Sequence, residues 1–206
     1  MLRLHGMAGS ADTATVCAAL YEKGIEFEHL QPSIGQGGAR REHGITGEAP
    51  MLETPSGTLT GALVILDYLE AIAPETPLLP AHPFARAKVR ELSRTAEQSI
   101  SLVTRPLLPA ALSGEPLEEH TSMQARDRMD HGIAATLRLA RFEPWIAGDG
   151  FSQADIVWHF SLESSALVAR NLYGRDLYAE IAAAAAHRDA MSARASVQRA
   201  RALAER

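Results

Sequence analysis

Two residues near the N-terminus are the first candidates for chemistry. Cys17 is the only cysteine of the chain, and cysteine is intrinsically the most nucleophilic side chain of the common types. It lies on the apolar side of a helical pattern with Val16 and Leu20, so we expect it to be buried packing. Ser10 stands just before that pattern, where either Ser10 or Asp12 can cap the helix.

A further candidate is the start of a helix predicted at Ala62. The backbone N–H groups of Ala62 and Leu63 would point out of its N-terminus, where an anion can bind. The eight histidines are scattered along the chain. Because no pair of them has ligand spacing with a nearby cysteine or acid, we predict no metal site. His159 could face a cleft, although a position in the core is the favoured alternative.

The elements that position these residues begin with a strand, a helix and a second strand. Leu2 and Leu4 alternate with polar residues, which is a strand pattern. The helix carrying Val16 and Leu20 ends at Gly24, which suits the left-handed conformation after a helix. Residues 25–30 form the next strand, and this order predicts a parallel pair joined by a helical crossover.

Residues 49–69 predict a hairpin followed by a helix. Pro50 begins one strand, and residues 54–57 place a proline and a glycine where a tight turn requires them. A second strand follows. Leu63, Leu66 and Leu69 then give the apolar face of an amphipathic helix.

The second part of the chain is predicted to be helical. Prolines crowd between residues 74 and 83 and indicate a linker. We therefore predict an α+β protein with an N-terminal domain at 1–73, a linker at 74–83 and an all-helical domain at 84–206. Ser152 and Asp155 have the spacing of a capping box at the start of one of its helices.

Composition excludes several classes of protein. Lys and Arg number 20 against 25 Asp and Glu, a net charge of −5, so a nucleic-acid partner is not expected. The N-terminus has no secretory signal pattern, and no apolar run is long enough for a bilayer. A lone cysteine suits a reducing compartment, and we expect a cytoplasmic protein with no membrane partner.

Four motifs in order resemble the glutathione transferase family, and together they cover essentially the whole chain. The resemblance implies a thioredoxin-like N-terminal domain followed by an all-α domain. The motifs are Lys23-Gly24-Ile25-Glu26-Phe27-Glu28, Gly47-Glu48-Ala49-Pro50-Met51-Leu52, Leu78-Leu79-Pro80 with Arg86-Ala87-Lys88-Val89-Arg90, and Ala147-Gly148-Asp149 with Phe151-Ser152-Gln153-Ala154-Asp155-Ile156.

The resemblance implies a detoxifying transferase with glutathione as co-substrate. A cis peptide bond at Pro50 would turn the backbone groups of Ala49 toward the cysteinyl part of glutathione. Ser10 would donate its hydroxyl to the sulfur, in place of merely capping the helix, and Met7 would line the same mouth. A homodimer is implied as well.

The same resemblance implies a small apolar electrophile as the acceptor. Its pocket would be lined by Met7, Ser99, Val103 and Leu107. That stripe is also what a plain helix core would use, and the core alternative is favoured.

The chain departs from the family at Gly61 and Ala62. Typical members carry an acid and a serine there, which hold the amine and the carboxylate of the γ-glutamyl group. Backbone N–H groups remain, and partial compensation could come from a small set of residues: Thr60, Glu48, Arg40 and Arg41. The departure favours an alternative, a non-catalytic binding module with weakened or lost glutathione binding. A thiol-disulfide relative is disfavoured because no cysteine stands at position 10.

Overall fold

The computed structural model describes residues 1–7, 9–31 and 50–203. Within these ranges four strands form one mixed sheet in the order β2–β1–β3–β4. β1 and β2 are parallel, as predicted, while β3 is antiparallel to both β1 and β4. The strands are β1 (Leu2–His5), β2 (Phe27–Leu30), β3 (Met51–Thr54) and β4 (Gly57–Thr60).

Helices α1 (Ala11–Glu22) and α2 (Ala62–Ile72) accompany this sheet. Local signals define where α1 begins and ends. Ser10 is its N-cap, and Gly24 follows it with φ +65°, a conformation that glycine adopts without steric cost. The side chains of Leu4, Leu20, Leu52 and Ile65 have no exposed surface and form the core beside the sheet.

The remaining part of the described chain is helical, which confirms the α+β prediction. Its elements are α3 (Pro83–Ala96), a π-helical turn (Glu97–Ser101), α4 (Leu102–Thr104), a 3-10 turn (Arg105–Leu107), α5 (Leu108–Ser113), α6 (Glu119–Leu139), α7 (Gln153–Tyr173), α8 (Leu177–Glu180), α9 (Ala182–Ser192) and α10 (Ala195–Ala202). No helix in the described part of the chain combines the length and apolarity needed to span a bilayer.

The helical stretch from α3 to α5 is not regular throughout. It changes to the π-helical turn after Ala96, and a 3-10 turn containing Pro106 precedes α5. Proline removes a backbone donor and clashes with the preceding turn, so irregular geometry at this place has a physical cause.

The chain divides into two compact units, Met1–Leu78 with Ser192–Arg206, and Leu79–Met191. The domain prediction from the sequence had instead assigned residues 192–206 to the all-helical domain. In the first unit α10 packs on α1. Both Nε and Nη2 of Arg194 donate to Glu22 at 2.8 Å, and the guanidinium of Arg199 lies 3.9 Å from the ring centre of Tyr21. The domain boundaries themselves stay a prediction.

The second unit contains the predicted capping box at the start of α7. The Asp155 carboxylate is fully buried and accepts hydrogen bonds through both oxygens. Oδ2 accepts the Ser152 N–H at 2.8 Å, and Oδ1 accepts the Ile146 N–H at 2.8 Å and contacts His187 Nε2 at 3.0 Å. A buried carboxylate is costly without such partners. The bonds from Ile146 and Ser152 therefore tie the loop before α7 to the first turn of that helix.

A buried ion pair joins the ends of α1 and α2 in the first unit. The Lys23 side chain has no exposed surface, and its Nζ lies 2.8 Å from Glu70 Oε2. Nζ also donates to the Ala73 carbonyl at 3.0 Å and the Thr76 carbonyl at 2.8 Å. The ammonium group has three N–H donors, so all of them have acceptors here.

Replacing Lys23 by methionine should strongly destabilise the protein. The change leaves the buried Glu70 carboxylate without its cation, and removing one member of a buried pair costs about 3–5 kcal/mol. Urea denaturation would measure the free energy of unfolding. Asp189→Ala is the matched control, because it breaks an exposed pair with Arg188 and should cost less than about 1 kcal/mol. Equal effects of the two substitutions would contradict this role of Lys23.

Candidate active site

The strand register brings three chain segments of the first unit to one end of the sheet, where β1, β2 and β4 end and β3 begins. His5 ends β1 and pairs with Leu30 at the end of β2 and with Met51 at the start of β3. Met51 in turn pairs with Thr60 at the end of β4. The loop after β1, the residue before β3 and the residue after β4 therefore all lie at this end.

A backbone hydrogen bond joins two of these places directly. The Gly61 N–H donates to the Pro50 carbonyl at 3.0 Å, so the start of α2 is held beside the start of β3. Pro50 itself is buried. The Ala49–Pro50 peptide bond involves a residue outside the described ranges, so its cis geometry and the role of Ala49 stay predictions. Three of the proposed compensating residues also lie outside those ranges: Arg40, Arg41 and Glu48.

Gly61 has a backbone conformation that explains the residue type. Its φ is +88° and its ψ is 135°, a region that side chains of L residues rarely enter. A Cβ added there would have open space around it, so backbone strain and not crowding opposes a larger residue. Ala62, the first residue of α2, is 3% exposed. The first N–H groups of any α-helix have no acceptor within it, and those of α2 can serve an anion.

Ser10 uses its side chain in two hydrogen bonds at the start of α1. Its Oγ accepts the Thr13 N–H at 3.2 Å, which is the capping bond, and its hydroxyl donates to Thr13 Oγ1 at 2.8 Å. The Ser10 N–H donates to the Met7 carbonyl at 2.9 Å. Of the two capping candidates, the structure has Ser10 as the N-cap.

The candidates for the acceptor pocket differ in exposure. Met7 is 60% exposed in the loop after β1. In the second unit Val103 is half-buried, whereas Leu107 is buried in a cluster with Ala111 and Val168. Leu107 thus occupies the helix-core position that the sequence left open as an alternative.

Ser99 lines a cavity of about 450 Å³ on the second unit. The walls of this cavity are mainly polar and charged, with Arg90, Arg94 and Gln98 among them. Such a lining does not suit an apolar acceptor, because polar groups lose hydration without gaining hydrogen bonds.

Cys17 is buried, as predicted, with 1% of its surface exposed. Burial raises the pKa of its thiol to about 12, because a thiolate in apolar surroundings lacks solvation. At neutral pH the side chain is therefore the unreactive thiol. His159 is also buried, in the core of the second unit. Among the described residues, no three His, Cys, Asp or Glu side chains are grouped to hold a metal ion.

Sequence reasoning missed Thr13 at this site. Its side chain is fully buried and is the partner of the Ser10 hydroxyl. The spacing of three residues from an N-cap was a signal that could have found it. Gly6 was a weaker signal, because the sequence alone does not show that Thr13 packs closely against it.

Comparisons with known proteins agree with this architecture. The family model of the glutathione S-transferase N-terminal domain matches residues 4–77. A glutathione S-transferase of Pseudomonas putida is 36% identical over 180 residues, which cover 87% of this chain and 82% of that protein.

Solved structures show the same fold. BphK, a bacterial GST, has a TM-score of 0.82 at 22% identity and covers 99% of this chain and 100% of its own. A glutathione S-transferase from Methylobacillus flagellatus with glutathione bound has a TM-score of 0.79 at 20% identity, with coverages of 97% and 98%. The predicted fold, a thioredoxin-like unit followed by helices, is confirmed.

Replacing Gly61 by alanine should destabilise the protein by about 1–3 kcal/mol, the usual cost of such a backbone conformation for a residue with a Cβ. Thermal and urea denaturation would measure the loss. Gly150→Ala serves as the control, since Gly150 also has open space around an added Cβ but no positive φ in the unfavourable range. If both variants unfold alike, the constraint on Gly61 does not exist.

Proposed function

The chain belongs to the glutathione S-transferase superfamily, and from this premise we propose that it binds glutathione at this end of the sheet and conjugates the glutathione thiolate to an apolar electrophile. The observation that carries the proposal is the hydrogen bond between Gly61 and Pro50. It holds the N-terminus of α2 next to Pro50, and the backbone of Ala49, the residue before Pro50, would pair with the tripeptide. Ser10, the N-cap of α1, follows β1 after a short loop.

Each part of glutathione meets a different group in this proposal. The backbone of Ala49 pairs with the cysteinyl residue as an added strand would. The N–H groups of Ala62 and Leu63 hold the γ-glutamyl carboxylate. The Ser10 hydroxyl donates to the sulfur, and with the positive end of α1 it lowers the pKa of the thiol.

The reaction then needs only the thiolate and an acceptor. The thiol proton leaves to solvent, and the sulfur lone pair forms a bond to an electrophilic carbon. In a substitution the leaving group departs with its bonding electrons. In an addition the π electrons of the acceptor move to the adjacent atom, which then takes a proton from solvent. Met7, which is 60% exposed in the loop after β1, is the proposed apolar contact of the acceptor.

The proposal has a biological setting that rests on the family resemblance and on cysteine usage. We propose that the protein is a homodimer and that it acts in the cytoplasm, where glutathione is reduced. Its proposed role is detoxification.

A binding module without catalysis is the second candidate, and the residue types at positions 61 and 62 favour it. An acid and a serine at these positions would each supply a hydrogen bond to a charged group, worth about 1.5–3 kcal/mol. Their absence lowers affinity by about one to two decades for each bond. Any remaining affinity for the γ-glutamyl group must come from the backbone N–H donors.

Calorimetry with glutathione tests the proposal. The wild-type protein should bind with a Kd of about 1 mM or tighter, and the pKa of the bound thiol should lie below its free value. Ser10→Gly should raise that pKa toward the free value. Glycine is chosen because it costs a helix N-cap only a few tenths of a kcal/mol, so α1 keeps its start. Absence of heat at millimolar glutathione would leave the binding module as the function.

Ala62→Ser should tighten glutathione binding by about tenfold to a hundredfold, because the new hydroxyl adds one hydrogen bond to the charged γ-glutamyl carboxylate. Calorimetric Kd values would measure the gain. Ala73→Ser is a matched control, since Ala73 is similarly buried at the opposite end of α2 and should leave the Kd unchanged. An unchanged Kd for Ala62→Ser would mean that the γ-glutamyl group does not meet this helix start.

A further inference from the structure

The Ser10 hydroxyl already has an acceptor in the protein. It donates to Thr13 Oγ1 at 2.8 Å, and both side chains stand on the first turn of α1. Thr13 has no exposed surface, so the oxygen that accepts this hydrogen is shielded from water. A hydroxyl group has a single hydrogen to donate, so this hydrogen cannot serve Thr13 and a ligand at the same time.

Thr13 Oγ1 is held in place from its other side by Gly6. A Cβ added to Gly6 would lie 2.3 Å from this oxygen, which shows how closely the hydroxyl approaches the backbone there. Gly6 is itself anchored to β2, because its N–H donates to the Leu30 carbonyl at 3.2 Å and its carbonyl contacts His29 Nε2 at 3.0 Å. The acceptor of the Ser10 hydrogen is therefore backed by the sheet.

We propose that Thr13 is a positioning residue that competes with the sulfur of bound glutathione for the hydroxyl hydrogen of Ser10. The inference rests on the proposed function, in which that hydrogen goes to the sulfur. A thiolate carries a full charge and accepts a stronger hydrogen bond than a neutral hydroxyl oxygen. Ligand binding therefore turns the Ser10 hydroxyl from Thr13 to the sulfur, and the broken bond to Thr13 opposes formation of the thiolate.

Two features of the site allow this competition to be separated from helix capping. The capping bond comes from the backbone N–H of Thr13, which every substitution except proline retains. Thr13→Val keeps the shape of the side chain and removes only Oγ1. Thr13→Ala also removes Oγ1, and it replaces the valine variant if packing against Gly6 fails. Thr13→Ser keeps the oxygen.

The test is a pH titration of the ultraviolet absorbance of the thiolate of bound glutathione. We expect Thr13→Val and Thr13→Ala to lower the pKa of the bound thiol by about 0.5–1 unit, a threefold to tenfold gain in thiolate at a given pH. Thr13→Ser and the control Thr15→Val should match the wild type. Thr15 is buried on the same helix. Asp12 in the first turn and His29 on β2 are ionisable side chains near this loop, and Ser10→Gly, which keeps both, is titrated in parallel.

The outcomes separate the inference from the proposed function. An unchanged or raised pKa in both Thr13→Val and Thr13→Ala overturns the competition, provided that Ser10→Gly raises the pKa. If Ser10→Gly has the wild-type pKa, or the wild type binds no glutathione, the proposed function fails and the inference fails with it.

Discussion

The candidate site depends on one backbone hydrogen bond, from the Gly61 N–H to the Pro50 carbonyl. It extends the pairing of β3 with β4 by one step beyond the Met51–Thr60 pair, and it determines where α2 begins. Without it, the helix N-terminus and the start of β3 would be joined only by a short hairpin. The groups that this bond aligns belong to the main chain, so their positions depend on the fold and not on rotamers.

This dependence on the main chain has a cost and a benefit at Gly61. The positive φ there is strained for any residue with a Cβ, and glycine removes that strain together with any side-chain contact to a ligand. In the proposed function this loss lowers the affinity for glutathione, because a charged hydrogen bond is missing. The proposed backbone donors do not titrate near neutral pH, so the pH dependence of anion binding would come from the ligand alone.

Ser10 shows that a capping residue and a hydrogen-bond donor need not be alternatives. The sequence presents the two roles as a choice, yet the hydroxyl oxygen accepts the Thr13 N–H while the same hydroxyl donates its hydrogen to Thr13 Oγ1. A hydroxyl has one donor and two acceptor positions, so capping uses only part of its capacity. In the proposed function the choice is a different one, between Thr13 Oγ1 and the sulfur of glutathione as the acceptor of that hydrogen.

Local patterns in the sequence determined the strands, the glycine that ends α1, the hairpin turn and the capping box at Asp155, because each depends on residues a few positions apart. Only the tertiary structure decided that Ser192–Arg206 packs with the first unit, that Lys23 meets Glu70, and that Gly6 confines the Thr13 hydroxyl. These contacts join residues distant in sequence, and their partners are selected by burial and by the need to satisfy buried polar groups. No short-range pattern encodes such a selection.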